Sequence, residues 1–227
     1  MKPTSAAFLA AVFAFCALPA AAAPAAASDA AEAAAPSELD QGVADYEAGR
    51  FAQARKTFEK LAETGDARAQ SNLGLLYLRG QGGAKNEKRA AQWFRKAAEQ
   101  GVAEAQYNLA VLYQNGQGVP KSGSEAAAWM QKAAEQGAAA AQHRLGLMHY
   151  FGRGIPKNSR EAARWFQAAA EQGYAPAQFN LGVLYLDGDG VTADRAQAVR
   201  WFEQAAAQSY PQAKEALDKL NAQGAAK

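Results

Sequence analysis

All four tryptophans of this 227-residue chain, Trp93, Trp129, Trp165 and Trp201, stand 36 residues apart. The same step links Leu73, Leu109, Leu145 and Leu181, and also Gly80, Gly116, Gly152 and Gly188. It recurs at Gly82, Gly118, Gly154 and Gly190, and in the Ala-Gln pairs that begin at Ala69, Ala105, Ala141 and Ala177. A period of this length means a stack of similar supersecondary units, each burying its apolar face on the next. Four repeats occupy 65–100, 101–136, 137–172 and 173–208.

Each repeat reads as two helices. In the first, Ala105, Leu109, Leu112 and Tyr113 fall at i, i+4, i+7 and i+8, one apolar stripe. Gly74, Ala110, Gly146 and Gly182 hold one phase inside that helix. Glycine there costs about 1 kcal/mol of helix propensity against alanine, so its recurrence points to close backbone approach. The Gly-x-Gly that follows ends the helix by allowing positive φ. In the second helix Ala126, Trp129, Met130, Ala133 and Ala134 form the stripe. Asn86, Ser122, Asn158 and Asp194 stand at its N-cap, and Glu125, Glu161 and Gln197 three residues later complete capping boxes. Arg89 breaks that pattern in the first repeat. Gly101, Gly137 and Gly173 close the second helix.

These residues resemble the Sel-one-like repeat, a branch of the tetratricopeptide superfamily, with the pattern A-x-A-Q-x-N-L-G-x-L-Y-x-x-G-x-G-V and then A-x-x-W-F-x-K-A-A-E-Q-G. Residues 37–64, with Tyr46, Gly49, Phe51, Ala54 and Phe58, are similar to an ordinary tetratricopeptide unit in phase with the repeats. Residues 209–227 read as a capping helix, in which Ala213 and Leu217 keep phase while Asp218 and Asn221 face solvent. The resemblance implies an all-α fold: a right-handed superhelical solenoid of helix-turn-helix repeats, about eleven helices around a concave groove. A high alanine content and 49% apolar residues suit closely packed helices.

The N-terminus carries a different pattern. Lys2, an apolar run from Ala6 to Leu18, Pro19 and several A-x-A sites make residues 1–27 a secretory signal peptide, cut near Ala22 or after Ala27. The apolar run is too short for a spanning anchor, which needs about 20 residues. Cys16 lies within it beside Phe15, a poor lipid-attachment context, so the mature chain would hold no cysteine. Residues 28–36 form an Ala/Pro-rich tether. The expected destination is an exported one, periplasmic or extracellular, with no integral membrane span after cleavage.

Chemistry-bearing motifs are few. The 24 basic and 22 acidic residues exclude nucleic-acid binding by bulk electrostatics. No metal or cofactor is expected: His143 and His149 lie six apart, on different sides of a helix, and zinc needs three or four convergent ligands. The glycine loops never continue as G-K-[ST], and no G-x-S-x-G occurs. Asp187 and Asp189 lack the acidic ligands that should follow in a calcium loop. No catalytic residue is identified.

What remains is a binding surface. By resemblance to tetratricopeptide arrays, the first helix of each repeat lines the groove. Its positions off the packing stripe are then partner contacts: Arg68, Asn72, Tyr107, Asn108, His143, Arg144, Phe179 and Asn180. Asn72, Asn108, Arg144 and Asn180 share one phase. An Asn108–Arg144 pair would clamp a peptide carboxylate. Alternatively, the asparagines tie neighbouring helices together through backbone hydrogen bonds, and Arg144 is the functional exception. The expected activity is non-enzymatic: a scaffold or adaptor for a protein or peptide partner. Two alternatives stay open. One is a secreted effector. The other is an envelope enzyme or carbohydrate-handling protein, since relatives with paired cysteines are credited with β-lactam-related activities, although such pairs are missing from this sequence.

Overall fold

The computed structural model describes residues 36–225, so the expected signal peptide and all but the end of the tether lie outside the described residues. Eleven α-helices and no strand occur among them. They are α1 (Glu38–Glu47), α2 (Phe51–Glu63), α3 (Ala67–Arg79), α4 (Glu87–Glu99), α5 (Ala103–Asn115), α6 (Gly123–Glu135), α7 (Ala139–Phe151), α8 (Ser159–Glu171), α9 (Ala175–Asp187), α10 (Arg195–Ala207) and α11 (Pro211–Ala225). The helices divide between two compact units that meet in sequence at Trp129 and Met130, within α6. In the first unit α1 through α5 pack consecutively, and in the second α7 through α11 do the same.

The repeated residues explain this regularity one by one. Each first helix of a repeat ends on a left-handed glycine, at φ 69° for Gly80, 73° for Gly116, 68° for Gly152 and 70° for Gly188. The second glycine of each pair also turns left-handed, and here space decides the residue as well as φ. A Cβ on Gly82 would lie 2.4 Å from the Phe51 carbonyl oxygen, on Gly118 2.1 Å from that of Glu87, and on Gly190 2.2 Å from that of Ser159. The loop therefore sits directly on the first turn of the preceding repeat's second helix.

The caps form as expected, with one correction. Asn86, Ser122, Asn158 and Asp194 each accept a hydrogen bond from the backbone amide three residues on. The reciprocal arm of the expected box is already supplied elsewhere. The amides of these four residues donate to the carbonyls of Tyr77, Tyr113, His149 and Tyr185, leaving no orphan for a residue-three side chain. Glu161 turns instead to Arg164, 2.9 Å away. The reciprocal box is found at Ser37 and Asp40, ahead of α1.

The tiny position inside the first helices faces a ring more closely than a backbone. A Cβ on Gly74 would stand 2.8 Å from Phe94, on Gly146 2.6 Å from Phe166 and on Gly182 2.7 Å from Phe202. The second repeat has Ala110 and Met130 at those two phases, a larger residue matched to a slimmer one. All three Phe rings are fully buried, and the half-buried tryptophans cover the next stripe.

A polar ladder runs through this apolar stack. Gln70, Gln106, Gln142 and Gln178 are buried, and their side-chain amides donate to the carbonyls of Ala62, Ala98, Ala134 and Ala170 at 3.1–3.2 Å. Gln100, Gln172 and Gln208 donate in turn to the oxygens of Gln70, Gln142 and Gln178 at 2.7–2.9 Å. α3, α7 and α9 are thereby tied to the helix before and to the end of the helix after, and α5 is tied by Gln106 to the helix before it. With its amide satisfied, burying this polar side chain carries little penalty.

Candidate functional site

The eight candidate contacts separate by burial. Arg68 is exposed, and Asn72, Asn108 and Arg144 are half-buried, so these four present polar groups to solvent. Tyr107, His143, Phe179 and Asn180 do not: they are 5%, 5%, 1% and 6% exposed. The expectation that they contact a partner is corrected by what covers them. His143 packs its ring 5.3 Å from Tyr174 and 5.6 Å from Phe166. Phe179, one repeat later, does the same with Tyr210 and Phe202, both at 5.6 Å. The residue just before a first helix thus lays a ring over a face that would otherwise be open.

Asn180 bonds to a side chain of the preceding repeat, where the structural alternative expected a backbone group. Its Nδ2 lies 2.9 Å from His143 Nε2. An amide nitrogen can only donate, so Nε2 accepts and the imidazole is neutral with its proton on Nδ1. Burial, and then the positive charge of Arg144, push the His143 pKa down to about 3. His149, in the phase of Tyr77, Tyr113 and Tyr185, is also shifted down by burial, opposed by Glu161. The two histidines remain separate. No group of three or more His, Cys, Asp or Glu among the described residues is placed to hold a metal ion.

Two features were missed in the sequence. The Gln ladder is one; its signal was the strict 36-residue recurrence of Gln70, Gln106, Gln142 and Gln178 together with Gln100, Gln136, Gln172 and Gln208. The other is a cluster in the first repeat. Tyr77 donates its hydroxyl proton to Glu59 at 3.1 Å, accepts from Arg89 at 3.0 Å, and carries Arg55 4.3 Å above its ring. In the next repeat Tyr113 accepts from Arg95 in the phase of Glu59, while Glu125 takes the phase of Arg89. The sign of the charge at two of these phases is inverted from one repeat to the next.

The Sel1 repeat family matches residues 67–102, 103–137, 139–174 and 175–210. The chain belongs to the Sel1 repeat family. Its family boundaries start two residues after those read from the 36-residue period, at the beginnings of α3, α5, α7 and α9. Among solved structures, a Sel1 repeat protein from Oxalobacter formigenes is 37% identical with a TM-score of 0.74, over 78% of this chain and 70% of that one. A protective antigen present in uropathogenic Escherichia coli strains, displaying an SLR fold, is 39% identical with a TM-score of 0.73. That match covers 75% of this chain but 36% of the antigen, so the chain spans about a third of its length. A putative Sel1 repeat protein from Klebsiella pneumoniae shares the fold at 23% identity and a TM-score of 0.52. No curated protein matches in sequence. Sel1 repeat proteins generally mediate protein–protein interactions and are generally non-catalytic. Among the described residues no helix is long and apolar enough to cross a membrane.

Proposed function

We propose that this Sel1 repeat protein is an exported scaffold that takes a partner protein or peptide on the first helices of its repeats. The observation that carries the reading is the behaviour of one phase. Asn72, Asn108 and Arg144 keep polar, half-exposed side chains while the residues on either side of each, from Ser71 and Leu73 to His143 and Leu145, are buried. Scaffold residues need no such exposure, and a guanidinium such as that of Arg144 is the group best suited to bind a carboxylate with two hydrogen bonds. Arg68 extends this stripe one turn toward the start of α3. Export rests on Lys2, the apolar run from Ala6 to Leu18 and the small residues after Pro19. That a similar protein is described as a protective antigen favours the same direction.

The test is a crosslinking pull-down from envelope extract with residues 28–227, beside an Asn108→Ala/Arg144→Ala variant shown folded by circular dichroism. The reading expects partners captured by the parent and lost by the variant. Equal capture by both would remove the first helices from the interface.

A further inference from the structure

The second helix of the first repeat differs from its three counterparts most in charge. Lys88, Arg89, Arg95 and Lys96 are all exposed on α4 around the half-buried Trp93. At the same four phases the second repeat has Ser124, Glu125, Gln131 and Lys132; the third has Arg160, Glu161, Gln167 and Ala168; and the fourth has Ala196, Gln197, Glu203 and Gln204. Every repeat keeps the tryptophan and builds the same helix, so the fold does not require the four cations. Two of them even work against it. Lys88 and Arg89 stand in the first turn of α4, where the helix dipole disfavours positive charge and where the other repeats place Glu or Gln at the phase of Arg89.

These cations border a solvent-open cleft of about 910 Å³ whose lining includes Trp93, Tyr77 and Val119. Its size falls at the upper end of the roughly 300–1,000 Å³ range of ligand sites. Glu59 and Glu63 also line it, but Glu59 is already engaged, 2.9 Å from Arg55 Nε and 3.1 Å from the Tyr77 hydroxyl. Lys96 lies 4.3 Å from the centre of the Trp93 ring, and Arg89 spends one N–H on Tyr77, leaving the rest of its fork open. Four cations, one spare acid and an aromatic floor together make a surface that complements negative charge next to an apolar side chain.

We propose that this cleft docks an acidic peptide segment of a partner protein, with Asp or Glu carboxylates on Lys88, Arg89, Arg95 and Lys96 and an apolar residue on Trp93. The proposal does not depend on the role of Asn108 and Arg144.

The experiment is fluorescence anisotropy of the chain with a fluorescein-labelled Glu-Glu-Leu-Glu-Phe-Glu peptide and with its all-Gln counterpart. Lys88→Glu/Lys96→Glu is the diagnostic variant, because neither ammonium caps a helix or holds a buried group; its thermal melt by circular dichroism checks folding. Arg164→Glu/Arg200→Glu, the same charge change in later repeats, is the control. The proposal expects the acidic peptide to bind and to weaken with added salt. It expects affinity at least tenfold lower for the diagnostic variant and nearly unchanged for the control, with the all-Gln peptide not bound. No binding of the acidic peptide, equal binding by all variants, or equal binding of both peptides would overturn it. So would a labelled oligonucleotide of equal charge that binds more tightly and is lost in the same variant, since the surface would then be a general polyanion site.

Discussion

The first repeat and the last two share a frame and spend their variable positions in opposite ways. At the phase of Ser71 the third and fourth repeats have His143 and Phe179, and the rings that cover them, Tyr174 and Tyr210, stand 31 residues on, at the phase that Val102 holds relative to Ser71. The later repeats therefore close this face with stacked rings, whereas the first has the smaller Ser71 and Val102 at these phases and gathers its charge on α4. The lesson is that the repeat residues (Ala, Gln, Gly and the Phe–Gly pairs) already suffice to hold the stack. The remaining positions are free to become either core or surface, repeat by repeat.

Six substitutions probe this contrast. The largest effect is expected at Phe179, whose ring is fully enclosed: Phe179→Ala costs about 4 kcal/mol in chemical denaturation, as for other buried Phe truncations. Ser71→Ala in the first repeat costs under about 1 kcal/mol, because a small hydroxyl and a methyl fill similar space. Equal losses at the two positions would show that the first repeat packs as the later ones do.

Next come the two kinds of left-handed glycine. Gly190→Ala is expected to cost about 3 kcal/mol, combining the φ of 77° with a Cβ 2.2 Å from the Ser159 carbonyl oxygen. Gly173→Ala, at φ 83° with open space around it, costs only the backbone preference of about 1 kcal/mol. Thermal melts of the two variants side by side read the difference.

His143 gives the aromatic face a pH dependence that the first repeat lacks. Its folded pKa of about 3 lies below the ordinary value near 6.5, so on acidification the unfolded chain takes the proton first. The stability this neutral ring allows is complete above pH 6.5 and falls as pH drops toward 3, by up to about 1.4 kcal/mol per pH unit. His143→Tyr, the residue type that the second repeat has at this phase, is expected to flatten the slope of unfolding free energy between pH 6 and 4. An unchanged slope would mean that His143 is protonated in place.

The smallest effect is a gain. Ser209 stands where the earlier repeats have Gly101, Gly137 and Gly173, and it holds a φ of 62° without being glycine. Ser209→Gly should stabilise the chain by about 0.5–1 kcal/mol in the same melts.

Much of this was legible before any coordinates. The tryptophan period located every repeat, the Gly-x-Gly pairs located the helix ends, and Asn86, Ser122, Asn158 and Asp194 located the caps. The candidate site was harder, for a physical reason. A single apolar stripe at Ala105, Leu109, Leu112 and Tyr113 implies one buried face, but the first helices are covered on more than one side, so residues off that stripe can also be core. His143 and Phe179 looked like surface because Tyr174 and Tyr210, which cover them, come from the turn between helices and belong to no stripe. Gln70 and its equivalents carry no apolar signal, since a polar side chain is usually exposed; the carbonyl eight residues earlier is what pairs it in the interior. Arg144 differs from the asparagines that share its phase, and that departure was visible in the sequence.

The central claim is that partner recognition sits on the polar stripe of the first helices while the ring-covered phase beside it is structural. Site-specific photocrosslinking tests it most directly: a benzophenone side chain placed at Asn108 or at Arg144, and as a control at exposed Arg200 on α10, followed by identification of what each captures in envelope extract. The account predicts that Asn108 and Arg144 capture the same protein and that Arg200 does not. Capture of that protein from Arg200 alone, or from all three positions equally, would contradict it.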